Sequence, residues 1–147
     1  MTVIVREPEE ADHRQWQDLF SNYQRFYRGH IPPETVDFTW QRIQDPASDM
    51  GGLVAELDGQ LIGLTHFLYH DSTWNSKKSC YLEDLFVDKQ ARGCGAARLL
   101  IEQVEHIARE SGAFRLYWHT QEYNGAARSL YDSIMPPSSF MVYRKNL

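Results

Sequence analysis

Residues Tyr81 to Leu100, YLEDLFVDKQARGCGAARLL, constrain the fold of this chain more than any other stretch. The hydrophobic period changes inside it. Tyr81 to Val87 is an aromatic and aliphatic run of the kind strands favour. From Ala97 onward, apolar residues return at Leu100, Ile101, Val104 and Ala108, which is helical spacing. Between strand and helix stand Gly93 and Gly95, two residues without a Cβ at the mouth of the helix. A ligand can come close to the backbone there. The first N–H groups of a helix lack internal partners and carry a partial positive charge, so this mouth suits a phosphate.

The type of phosphate site follows from what surrounds the glycines. No Lys-Ser or Lys-Thr follows them, which excludes a P-loop. A dinucleotide-binding turn needs Gly or Ala at position 98, where Arg98 stands. The pattern present is Gln90-x-x-Gly93-x-Gly95. It resembles the acetyl-CoA signature of the GCN5-related N-acetyltransferase (GNAT) superfamily, Gln/Arg-x-x-Gly-x-Gly/Ala. The preceding Leu82-Glu83-Asp84-Leu85-Phe86-Val87 is similar to the matching strand of spermidine/spermine acetyltransferases and of yeast-type histone and polyamine acetyltransferases. The alternative is an ordinary strand-to-helix turn whose glycines only shape the backbone. The resemblance is strongest from Tyr81 to Tyr131.

Composition narrows the partners. The chain of 147 residues carries 20 acidic and 15 basic side chains, a formal charge of −5. That argues against a nucleic-acid partner and mildly favours cationic ones. The length suits one domain, residues 1–147, with a full core. Cys80 and Cys94 form no disulfide framework and are compatible with a reducing compartment. No apolar run reaches membrane-spanning length and the first residues lack a signal-peptide layout, so no membrane partner and a cytoplasmic location are expected. There is no Cys-x-x-Cys pair, and no metal is expected.

Taken in order, Thr2 to Arg6 reads as a strand, and Asp12-x-x-Gln15 as a capping box. The helix it opens carries Trp16, Leu19, Phe20, Tyr23 and Phe26 on one stripe. Pro32-Pro33 starts a second helix with Val36, Trp40 and Ile43. Strands Leu53–Leu57 and Leu61–Tyr69 flank the hairpin signal Asp58-Gly59. The central strand and the long helix follow, and Gly112 caps that helix. Phe114–Thr120 is predicted as a strand, Gly125 to about Met135 as a helix, and Ser139–Arg144 as a last strand. The order β-α-α-β-β-β-α-β-α-β predicts an α/β (α+β) fold with a mixed central sheet flanked by helices. This agrees with the acetyltransferase fold that the resemblance implies.

The resemblance also implies roles. Acetyl-CoA would be the cosubstrate. Its phosphates would lie on the backbone of Arg92, Gly93, Cys94, Gly95, Ala96, Ala97 and Arg98, with Gln90 before it and the Arg92 side chain as a further partner. In the family the central strand carries a bulge that spreads it from the next strand; Leu85, Phe86 and Val87 would meet the pantetheine arm there, and one N–H among them would hold the thioester oxygen. Glu83 lies ten positions before Gly93, like the proposed base of the polyamine enzymes. A carboxylate beside the thioester can take the proton that an ammonium must lose before it attacks. The other reading of Glu83 is a solvent-facing or ion-paired strand acid; alternation is expected to send Glu83 and Asp84 to opposite faces. Asn124-x-x-Ala127-x-x-x-Tyr131 resembles the family's second motif, in which Asn contacts the pantetheine arm and Tyr protonates the leaving sulfur. Asn124 can equally be a plain N-cap, and Tyr131 a core aromatic. Tyr27, Asp84, Trp118 and Glu122 are candidate acceptor-binding residues. Cys94, at a helix mouth, leaves a covalent acetyl-cysteine route open. The family's usual Gly-Phe after the second helix is Ser139-Phe140 here, behind a double proline.

The expected activity is transfer of an acetyl group from acetyl-CoA to a primary amine, by direct attack in a ternary complex. A small cationic amine, a polyamine or an amino-acid-like one, is the expected acceptor. A protein or histone lysine acetyltransferase is the neighbouring alternative, and a non-catalytic acyl-CoA sensor is the alternative of another class. Relatives of this kind often dimerise, so a homodimer is compatible with the sequence.

Overall fold

The computed structural model describes residues 2–147. Its elements are β1 (Ile4–Arg6), α1 (His13–Phe26), α2 (Pro33–Gln44), β2 (Met50–Leu57), β3 (Gln60–His70), β4 (Ser79–Val87), α3 (Ala96–Glu110), β5 (Arg115–Tyr117) and α4 (Gly125–Ile134). The five strands form one sheet in the order β1-β2-β3-β4-β5. The first three junctions are antiparallel and the last is parallel. The mixed sheet flanked by helices is the expected architecture. No helix of the described residues is long and apolar enough to cross a membrane.

Strand periodicity divides the core in two. Leu53 and Ala55 of β2 pack with Leu82, Leu100, Ile101 and Val104 on the α3 face. Val54, between them, packs with Trp16, Phe20, Trp40 and Phe86 on the face of α1 and α2. Successive side chains of a strand point to opposite faces, so one strand feeds both cores. β2 and β3 turn at Asp58 (φ 52°) and Gly59 (φ 80°), the left-handed pair that a two-residue hairpin requires.

Two irregularities of β4 shape the site. His66 of β3 stands opposite Asp84, but the next residue, Phe67, stands opposite Leu82. Glu83 is therefore an extra, unpaired residue, a β-bulge. On its other edge β4 pairs with β5 only through Ser79, Cys80 and Tyr81. Beyond Tyr81 the two strands part and a cleft opens between them.

Three expectations need correction. The carboxylate of Asp12 accepts the N–H of Glu9 at 2.7 Å and pairs with Arg6 at 2.7 Å. Gln15 reaches across to the sheet instead, where its Oε1 accepts the N–H of Leu61 at 2.9 Å. The strand expected over Phe114–Thr120 is limited to Arg115–Tyr117, because β4 offers no partner past Tyr81. Ser139–Arg144 is not a strand; Phe140 and Tyr143 are 90% and 92% exposed. Its residue types favour strands, but propensity without a neighbouring ladder does not make a strand, and Pro136-Pro137 just before it have no N–H to donate to one.

Candidate functional site

The cleft begins at the glycine loop. Asp88 donates its N–H to the carbonyl of Ile62 at 2.7 Å, and its Oδ1 accepts the N–H of Gln90 at 3.3 Å. This ties the loop to the sheet. Gly93 and Gly95 then take φ values of 89° and 83°, and nothing lies within 4 Å of where a Cβ would stand on either. The first helical bond of α3 runs from the N–H of Leu99 to the carbonyl of Gly95 at 3.1 Å. The N–H groups of Ala96, Ala97 and Arg98 precede it and have no helical partner. Leu85, Phe86 and Val87 pair with β3 on one edge and with no strand on the other, so their remaining backbone groups face the cleft. Open backbone, unpaired N–H groups and a positive helix end fit the pyrophosphate and amide-rich arm of acetyl-CoA. The side chain of Arg92 lies 5.3 Å from the Phe26 ring. Arg98 donates from Nη2 to Ser133 Oγ at 2.6 Å and so ties α3 to α4.

Where the cleft narrows, a cavity of about 30 Å³ is lined by Glu83 and Leu85, by Tyr23 and Tyr27, and by Trp118 and Tyr131. The rings of Trp118 and Tyr131 meet edge to face at 5.5 Å. Burial pushes the Tyr131 phenol up to about 12, so it holds its proton at neutral pH. Asn124 caps α4, its Oδ1 accepting the N–H of Ala127 at 3.4 Å.

A second cavity, of about 180 Å³, lies between the sheet and the helices α1 and α2. Phe20, Thr39, Arg42, His66, Glu83 and Asp84 line it. Both acids border it, which departs from simple alternation; the bulge at Glu83 resets the pleat by one residue. Asp84 is held from below. Its Oδ2 lies 2.9 Å from Nδ1 of His66, and Nε2 of His66 lies 2.9 Å from Nε1 of Trp16. An indole N–H can only donate, so Nε2 accepts and the proton of His66 sits on Nδ1, directed at Asp84. Burial first, and the Asp84 carboxylate second, raise the Tyr23 phenol above its ordinary value. Among the described residues, Glu83 is the one that borders both cavities.

The acetyltransferase (GNAT) family model matches residues 15–135 of the chain. The D-amino-acid N-acetyltransferase HPA3 of Saccharomyces cerevisiae is 34% identical over 146 residues, covering 98% of this chain and 91% of that protein. This chain belongs to the GNAT acetyltransferase family. It is an N-acetyltransferase, and acetyl-CoA is the family's cosubstrate. A thialysine N-ε-acetyltransferase of Caenorhabditis elegans is 34% identical over 83 residues, 56% of this chain and 51% of that one. In fold, the chain matches AAC(6')-Iy in complex with a bisubstrate analogue, CoA-S-monomethyl-acetylneamine, with a TM-score of 0.82 at 21% identity over 100% of both chains.

Within this GNAT fold, Tyr27, Glu83, Leu85, Trp118 and Tyr131 converge on the narrow cavity. Asp84 borders the wider one. Glu122 is exposed before α4, its carbonyl accepting from Arg128 at 2.9 Å, and borders neither. Sequence reasoning missed Tyr23, His66 and Arg42. Tyr23 was hidden in an apolar helical stripe, where its hydroxyl was the only signal. His66 and His70 do stand four residues apart, the spacing of paired metal ligands on a helix. On strand β3 that spacing spans about 13 Å. Each has its own partner, Asp84 for one and the Tyr117 hydroxyl at 2.7 Å for the other.

Proposed function

We propose that this enzyme acetylates the primary amine of a small, amino-acid-like molecule by direct attack. The acceptor occupies the wider cavity and presents its nitrogen past Glu83 to a thioester in the narrow one. The observation that carries this reading is Glu83, unpaired in its bulge and shared by both cavities. Its carboxylate takes the proton from the ammonium, directly or through water. The nitrogen then bonds to the acetyl carbon as the carbon–sulfur bond breaks. A backbone N–H of Leu85, Phe86 or Val87 holds the carbonyl oxygen as charge collects on it. Tyr131, a phenol that is protonated at neutral pH and that burial raises further, to about 12, returns a proton to the sulfur and recovers it from solvent.

The amino-acid branch of the expectation has more support than the polyamine branch. One oxygen of Asp84 is engaged by His66, and Glu122 stands outside both cavities. A second ammonium therefore meets fewer free acids than the sequence promised. The S. cerevisiae relative is named for D-amino acids. A homodimer belongs to the same reading, because Phe140, Met141, Val142 and Tyr143 are exposed without a partner strand; sedimentation would test it. The decisive experiment is thiol release with spermidine, a simple monoamine, amino acids of both hands and a Lys-rich peptide. Amino acids should lead in kcat/KM. A clear lead for the peptide or for spermidine would redirect the assignment, and acetyl-CoA binding without turnover of any amine would favour the sensor.

A further inference from the structure

We infer that Arg42 is the specificity-determining residue of the acceptor cavity and binds the carboxylate of a zwitterionic amino acid. This rests on the acetyl-transfer reading above and adds the group that recognises the rest of the acceptor.

The cavity beneath α2 is lined by opposite charges on opposite elements: Arg42 on the helix, Glu83 and Asp84 on β4. They do not neutralise one another. Among the described residues Arg42 has no carboxylate within 4 Å, whereas Arg6 has two and Lys78 and Arg109 have one each. Its Nε is shielded from solvent and has no acceptor. A guanidinium with a buried, unpaired N–H is an uncompensated cost in the ligand-free protein. The side chain is nevertheless held in place. Nη2 donates to Thr39 Oγ1 at 3.2 Å, and the guanidinium carbon lies 4.5 Å from the centre of the Phe38 ring. Thr39, itself buried, and Thr35 stand one and two turns before Arg42 on the same face of α2 and line the same space.

A fixed, unpaired guanidinium matches a carboxylate in shape as well as charge. An ammonium belongs at the other wall, where Glu83 must meet it for the reaction. A molecule with both charges and a compact body satisfies the two walls at once. A polyamine brings a second positive charge towards Arg42, and a neutral amine leaves Arg42 unpaired. The space suits a small molecule, since a cavity of about 150 Å³ holds a benzene ring, and Phe20, Ile31 and Leu68 supply apolar walls for a side chain.

The test compares both enantiomers of leucine with leucinamide and isoamylamine, in the wild type and in Arg42→Gln and Arg42→Lys. Comparing each substrate between enzymes cancels differences in amine basicity. Arg42→Gln should lower kcat/KM for the preferred leucine about 10- to 100-fold, through KM, and leave isoamylamine within about twofold. Arg42→Lys, which keeps the charge and loses the fork, should fall between. Equal loss for leucine and isoamylamine would make Arg42 a structural residue and overturn the inference, as would unchanged leucine kinetics. Wild-type turnover of isoamylamine but not leucine removes the carboxylate site alone. If the wild type binds acetyl-CoA and acetylates none of the four, the acetyl-transfer reading fails with it.

Discussion

The mouth of α3 and the cavity beneath α2 offer a ligand different materials. At the mouth the available surface is main chain. N–H groups precede the first helical bond at Leu99, and Gly93 and Gly95 leave open space where side chains would be. Beneath α2 the surface is side chain, gathered from four elements: Phe20 from α1, Thr39 and Arg42 from α2, His66 from β3, and Glu83 and Asp84 from β4. Main-chain donors are alike in every residue, so the mouth suits a group common to all CoA thioesters. Side chains differ, so the second cavity can choose among amines. A single substitution can remove a contact in the second region, but in the first it acts mainly by adding an obstruction.

The largest effect should come from such an obstruction. Gly95→Glu places a side chain in left-handed backbone and a negative charge against the pyrophosphate. One like-charge contact at about 4 Å is worth roughly 4 kcal/mol at a near-surface dielectric, or about a thousandfold in affinity. Calorimetric titration with acetyl-CoA should show that loss while far-UV circular dichroism stays native. A folded variant with wild-type affinity would show that the mouth is not the grip. Glu83→Gln acts in the other region and by deletion. It should lower kcat/KM about a hundredfold at neutral pH and leave acetyl-CoA binding intact. Its acidic limb should vanish, and the deficit should shrink as the amine loses its own proton at higher pH. A mutant pH profile that parallels the wild type would give the base role to another group.

Tyr131→Phe should be milder, about tenfold in kcat with KM for acetyl-CoA nearly unchanged. A thiolate is a stable leaving group and needs less help from an acid than an alkoxide would. The sign of the pH effect is fixed by the direction of the shift. A phenol pushed up to about 12 is lost as an acid only as pH rises through that value. Wild-type kcat should therefore show no descending limb from Tyr131 in the range where an ordinary phenol, near 10, would lose its proton. If kcat is untouched while chemistry is rate-limiting, Tyr131 is packing for Trp118 and nothing more.

The two regions also differ in how far they can be read from the sequence. The mouth is continuous in the chain: Gln90, Gly93 and Gly95 announce it by spacing, because a bare backbone needs glycine at set positions. The second cavity is assembled by the fold. Arg42 sits about forty residues before Glu83 on a helix that looks like any amphipathic helix, and only sheet packing turns it towards the acids. His66 carried no local signal; its role depends on register with Asp84 across the β3–β4 ladder and on Trp16 from α1. A bulge in the central strand is implied by the family resemblance, but its place at Glu83 was hidden, since an inserted residue is defined by the partner strand rather than by its own type. The hairpin at Asp58-Gly59 and the two helix stripes were legible because local rules decide them. The last strand failed because strand formation is a property of pairs.

The smallest expected effect lies within the mouth itself and sharpens the comparison most. Cys94 stands between Gly93 and Gly95, one residue from the position whose substitution should cost most, and its side chain is exposed. If the mouth works through main chain, Cys94→Ala deletes nothing the ligand uses, because the N–H at position 94 survives the change. kcat/KM for acetyl-CoA should stay within about twofold. A covalent acetyl-cysteine route predicts the opposite: loss of turnover, and ping-pong kinetics in the wild type. Initial rates at varied acetyl-CoA and amine separate the two, since direct attack gives intersecting double-reciprocal lines and a ping-pong route gives parallel ones. Intersecting lines with full activity in Cys94→Ala, beside collapsed affinity in Gly95→Glu, would place two neighbouring residues at opposite ends of the same scale. That pair of results is what main-chain recognition predicts, because the N–H at position 94 survives the loss of its side chain whereas a charged side chain at position 95 obstructs the ligand.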